Sequence, residues 1–151
     1  MSLRKENNIL GHLVDINKDA CEFYEEAREE VHSDKLKQTF ADLEALHRDV
    51  MTDIQSILIR NGGDAEADET LRGQVAQMWG ELKAKVSNDF DKTIVSELEE
   101  AEDRCLHSIQ DAINDTELSE PTRLRLEKDL TSLKRSHDYM KSLKDIMKSA
   151  A

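Results

Sequence analysis

The sequence predicts an all-α four-helix bundle, and three observations predict it. Apolar residues recur at alternating spacings of four and three along four long stretches, as expected for helices that each bury one face. One Pro and five Gly in 151 residues, with one Trp, two Tyr and three Phe, are too few for the many turns of an all-β sandwich. Only one of the intervals between the four stretches is long.

The elements follow in order. Ile9, Leu13, Ile16, Ala20, Phe23 and Ala27 carry a first helix over about 6–32, which His32-Ser33-Asp34 ends, with Ser33 or Asp34 as N-cap of the next. Leu36, Phe40, Leu43, His47, Val50, Ile54 and Ile57 carry a second over about 34–61, ended by the C-cap signal Asn61-Gly62-Gly63. An acidic loop, Asp64 to Glu69, leads to a shorter helix over about 69–86 with Val75, Met78 or Trp79, Leu82 and Val86, and Ser87-Asn88-Asp89 interrupts it. Val95, Leu98, Glu102, Cys105, Ile109 and Ala112 define a third long helix over about 89–114, stopped by Asn114-Asp115. Ser119 with Pro121 starts the fourth, over about 120–148, whose seam reads Leu126, Leu130, Leu133, His137, Met140, Lys144 and Met147. These elements make one domain, 1–151.

The long interval decides the topology. A helix within the roughly 25 residues between Gly63 and Asp89 covers about 22 to 26 Å at about 1.5 Å per residue, enough to run the length of a bundle. The second and third long helices are then expected to point the same way, whereas an up-down-up-down bundle needs only a tight turn there.

Lys plus Arg is 21 and Asp plus Glu is 33, a net charge of −12, which is the wrong sign for a protein that grips nucleic-acid backbone. Cys21 and Cys105 sit in apolar helical patterns without CxxC spacing and read as reduced core residues. The longest apolar run, Ile57-Leu58-Ile59, is too short for a membrane span, and no secretory h-region stands at the start, so a cytoplasmic protein is expected. No nucleophile–base pair, phosphate loop or basic-aromatic surface is present, which leans against an enzyme.

Three seams carry a side chain that prefers water or a metal: His47, Glu102 and His137. Counted from one end of the bundle, all three fall at about 17 to 21 Å, in a single layer. Glu44 precedes His47 by three residues, the spacing at which one helix can offer a carboxylate and an imidazole to one metal. Glu44, His47, Glu102 and His137 are therefore the candidate ligands, with Glu22 a further candidate and the orientation of Glu22 and Glu26 open. Neutral imidazoles and carboxylates suit Fe, Mn or Zn.

Asn17-Lys18-Asp19 through Tyr24 and Ala27, Asn61-Gly62-Gly63-Asp64 with Gly73 and Trp79-x-x-Leu82-Lys83, Glu99-x-x-Glu102-Asp103-x-x-Leu106, and His137-Asp138 resemble a family of small bacterial proteins of unassigned function in the ferritin-like superfamily. The resemblance runs from about residue 9 to 145. It implies a ferritin-like four-helix bundle with the long crossover between helices 2 and 3, and it does not imply an activity, since the family has none assigned. Against the wider di-iron pattern, Lys134 stands where the second Glu-x-x-His needs its Glu, which argues against a di-iron oxidase or ferroxidase.

The same residues have plainer readings. His47 and His137 can be core histidines bonded to a carboxylate such as Glu102, and Glu102 can belong to a dry polar layer that sets register. Glu44 can be a solvated helix-face carboxylate. Lys134 fits a surface pair with Asp138, Trp79 and Met78 fit the packing foot of the short helix, and the acidic run 97–103 fits a solvated face. A second apolar stripe on helix 1, Leu10, Val14, Cys21 and Tyr24, needs a cover, which the short helix or another copy can supply; a homo-oligomer is expected, with any protein partner unidentified. Two functions follow: a ferritin-like bundle holding one metal in its mid-bundle layer, or a metal-free structural or interaction module.

Overall fold

The computed structural model describes residues 3–65, 77, 80–81 and 90–149. Four long helices occupy most of them: α1 (Leu3–Glu30), α2 (Asp34–Arg60), α3 (Phe90–Ile113) and α4 (Glu120–Ser149). Between α2 and α3, Gln77, Gly80 and Glu81 are helical and exposed. Val75, Met78, Trp79, Leu82 and Val86, expected on the short helix, lie outside the described residues.

Local chemistry sets the helix ends. Ser33 caps α2, its side chain accepting from the Leu36 N–H at 3.3 Å. At the other end Gly62 takes φ +76°, a left-handed conformation cheap only for Gly, and Gly63 N–H reaches back to the Leu58 carbonyl at 2.8 Å. Arg123 ties α3 to α4 by donating from Nε to the Ile113 carbonyl and from Nη2 to the Asp115 carbonyl, both at 2.8 Å, so two C-terminal carbonyls that lack helical partners are satisfied by a side chain.

Direction follows from contacts at the two ends. Glu6, near the start of α1, meets Asn61 after α2 and Ser119 and Thr122 at the start of α4. At the far end the backbone N–H of His32, after α1, donates to Asp91 in the first turn of α3. Hence α1 and α4 run one way and α2 and α3 the other, and Ala65 and Phe90 lie at opposite ends. The principal packing is α1 on α2, α3 on α4, α1 on α3 and α2 on α4, which places α1 opposite α4 and α2 opposite α3 across the bundle.

The inner faces agree with the sequence pattern on α2 and α3 and depart from it on α1 and α4. The buried line of α1 runs through Glu6, Leu10, Leu13, Asn17, Ala20, Tyr24 and Ala27, with Val14, Cys21 and Phe23 beside it, while Ile9 and Ile16 are half-buried at its flank. The stripe Leu10, Val14, Cys21 and Tyr24 thus belongs to the core of the bundle itself. On α4 the buried line is Thr122, Leu126, Asp129, Leu133, Ser136 and Met140. Leu130, His137 and Lys144, expected on the seam, are half-buried at the flank of that line instead.

Candidate polar layer in the bundle core

Two apolar clusters fill the core. One gathers Tyr24, Phe40, Leu98 and Met140 toward the Asp91 end, and the other gathers Leu13, Ile54, Ile109 and Leu133 toward the Glu6 end. Between them every helix contributes polar side chains: Asn17 and Tyr24 from α1, His47 from α2, Glu102 from α3 and Ser136 from α4. All five are at most 2% exposed. Taking such groups out of water costs free energy unless each finds a partner.

The partners form one connected network centred on Glu102. Its Oε1 accepts from the Tyr24 hydroxyl at 2.5 Å and the Ser136 hydroxyl at 2.6 Å, and it faces His47 Nε2 at 2.7 Å. His47 Nδ1 lies 2.9 Å from Asn17 Oδ1. Because Asn17 Nδ2 donates to the Leu13 carbonyl at 2.9 Å, Oδ1 is the accepting atom and Nδ1 carries the proton. A second proton lies between Nε2 and Glu102, since two bare acceptors would repel at that distance. Glu102 Oε2 is buried without a hydrogen-bond partner. Burial alone pushes the Glu102 carboxyl upward, but the charge and hydrogen bond of His47, with the donors from Ser136 and Tyr24, outweigh it and hold it below the usual glutamate range. Tyr24 is pushed up, by burial first and then by Glu102, so it stays a phenol that donates.

The other sequence-predicted residues do not join this layer. Glu44 is buried but turns to two arginines, with Oε1 2.9 Å from Arg28 Nη2 and Oε2 2.6 Å from Arg48 Nη2. His137 sits on the outer side of the α3–α4 pair, Nε2 being 3.3 Å from Asp103 and 3.8 Å from Glu99, and Nδ1 3.1 Å from Asp138. The expectation that His137 faces the layer is therefore corrected: Ser136 does. A seam averaging 3.5 residues can step 4-3 or 3-4 from Leu133, and packing against α3 selects Ser136. Glu22 is half-buried beside the layer, where its charge acts on Asp19 and Cys21, and Glu26 is exposed. Lys134 pairs with Asp138 at 2.7 Å on the surface.

The ferritin-like pattern of two inward carboxylates and two Glu-x-x-His pairs does not fit this donor set, in which Glu102 and His47 are the acid and imidazole facing the layer. Among the described residues, no three His, Cys, Asp or Glu side chains are arranged to hold a metal ion. Cys21 and Cys105 are buried free thiols that donate weakly to the Glu44 and Ile16 carbonyls at 3.7 Å. Burial pushes Cys21 up to about 12 and Cys105 also upward, which makes both poor nucleophiles.

Sequence reasoning missed Asn17, Tyr24 and Ser136. The signal for Tyr24 and Asn17 was present, because both lie on the line Leu10, Asn17, Tyr24 at sevenfold spacing; Ser136 carried none, since a small hydroxyl fits a surface equally well. Among the described residues no helix is long and apolar enough to cross a membrane.

Comparison with known proteins agrees with this architecture. A dodecameric thioferritin, the bacterioferritin-related protein from Bacteroides fragilis, superposes with a TM-score of 0.75 over 99% of this chain and 90% of its own, at 16% identity. That likeness shows an all-α ferritin-like fold. No curated protein shows significant similarity to the chain. The family described as Domain of unknown function (DUF2383) matches residues 5–115, the greater part of the sequence, and the chain belongs to that family.

Proposed function

We propose that this protein is a non-catalytic ferritin-like module that assembles with copies of itself, its mid-bundle layer serving to fix helix register. The carrying observation is that both ring nitrogens of His47 are engaged, Nδ1 by Asn17 and Nε2 by Glu102, while Glu44 is held by Arg28 and Arg48. A buried polar layer that closes only when four helices are in one alignment disfavours slipped packings. Assembly is supported by Leu124, Tyr139 and Ile146, large exposed apolar residues of α4 that fall within about 60° of one another on the helix. The ferritin-like neighbour, itself a dodecamer, adds to that support.

Elemental analysis after anaerobic loading with Fe(II), Mn(II) and Zn(II), with sedimentation velocity on the same samples, tests the reading. Loss of all metal on desalting and a mass above that of one chain are expected; one retained equivalent per chain overturns the metal-free part, and a monomer overturns the assembly part.

A second reading has its own observation. Glu102 Oε2 is buried without a hydrogen-bond partner beside His47, and Asn17 orients the imidazole from its far nitrogen, as outer partners of ligating histidines do. Under that reading His47 and Glu102 would hold one Fe, Mn or Zn ion in place of the proton they share, and metal would raise the melting temperature of the parent protein but not of His47→Leu.

A further inference from the structure

Asp129 lies on the inward line of α4 between Leu126 and Leu133, both members of the apolar cluster at the Glu6 end. It is 9% exposed, and its Oδ2 is buried with no hydrogen-bond partner. The group that meets it from α2 is another acid, Asp53, within hydrogen-bonding reach. Asp53 is held by Arg125, one turn before Asp129, and the same guanidinium nitrogen donates to Ser56 Oγ at 2.9 Å. The charged groups that act on Asp129 are thus Asp53 from α2 and Arg125 from its own helix.

Two ionised carboxylates disfavour this contact, since the buried Oδ2 of Asp129 would be left facing another acceptor with no donor to satisfy it. One proton resolves it. With Asp53 ionised against Arg125 and Asp129 protonated, the three groups sum to zero charge, and the orphaned acid gains a partner by donating its O–H to Asp53. We infer that Asp129 is a neutral acid at neutral pH and that its proton fastens α4 to α2, so that the α2–α4 seam is a pH-sensitive contact that loosens as the medium turns alkaline. Burial first, and then Asp53, raise Asp129 to about 8, with Arg125 pulling the other way. Folded Asp129 thus holds its proton through a range in which unfolded Asp has lost it. The stability it provides is complete at acid pH and is lost as the pH climbs through about 8.

The test is carboxyl ¹³C NMR of the aspartate-labelled chain, with hydrogen exchange over α4. The wild-type protein should show one aspartate resonance titrating near 8, missing in Asp129→Asn and moved toward the ordinary range in Asp53→Asn. Backbone exchange over 122–133, corrected for its intrinsic pH dependence, should rise several-fold between neutral and alkaline pH in the wild type and stay flat in Asp129→Asn, whose amide can still donate to Asp53. An Asp129 resonance already ionised at neutral pH overturns the inference. So does alkaline loosening that persists unchanged in Asp129→Asn, and the Asp53→Asn resonance decides the matter if the first variant does not fold.

Discussion

Glu102 and Asp129 are both acids on inward faces of the bundle, and their surroundings push them in opposite directions. Glu102 receives hydroxyls from Tyr24 and Ser136 and faces His47, so its carboxylate is favoured despite burial. Asp129 meets Asp53, so its neutral form is favoured. Glu6 sides with Glu102: burial raises it, but the Ser119 N–H and side chain, Asn61 and Thr122 lower it by a larger sum. Burial depth therefore does not decide the ionisation of a core acid. What faces it does.

The largest expected effect comes from breaking the first region. His47→Leu leaves Glu102 buried without its imidazole, and urea unfolding should show a loss of about 3–5 kcal/mol. The double change His47→Leu with Glu102→Leu should recover much of that loss, because the uncompensated acid goes too. Next, Glu6→Ala removes the acceptor that joins three chain segments and should cost about 1–3 kcal/mol in the same assay.

The pH dependence sharpens the contrast. Glu6 and Glu102 have lowered folded values, so their contribution is present above the unfolded glutamate value of 4.5 and is lost as the pH falls through the folded ones. Glu6→Gln should accordingly flatten the acid limb of a melting-temperature profile. Asp129→Asn should remove the wild type's loss of stability between the ordinary aspartate value of 3.8 and about 8, raising the melting temperature by about 2–4 °C above pH 8 if about 1 kcal/mol is regained there. The smallest effect is expected from His137→Ala, half-buried on the outer side of the α3–α4 pair, at about 1 kcal/mol or less by thermal unfolding, although the sequence places it level with His47.

Much of this was legible. The height of the polar layer, the presence of His47 and Glu102 in it, and the surface pairing of Lys134 with Asp138 all follow from periodicity and i, i+4 spacing. The acid pair Asp53–Asp129 was not, because Leu130 is the more apolar of two adjacent residues and draws the seam toward itself. Arg28 also escaped notice as the partner that turns Glu44 aside, since the two lie on different helices.

By itself the sequence determined that the chain is helical, that it forms four long helices, and that the second and third run parallel. Each of these depends on properties of a single strand of sequence: repeat, cap and connection length. Only the tertiary structure decided whether Ser136 or His137, Asp129 or Leu130, and Asn17 or Ile16 turns inward. A helical repeat of 3.6 residues against a seam averaging 3.5 leaves adjacent positions nearly equivalent, and the choice between them rests on the side chains that the neighbouring helices bring to the same height.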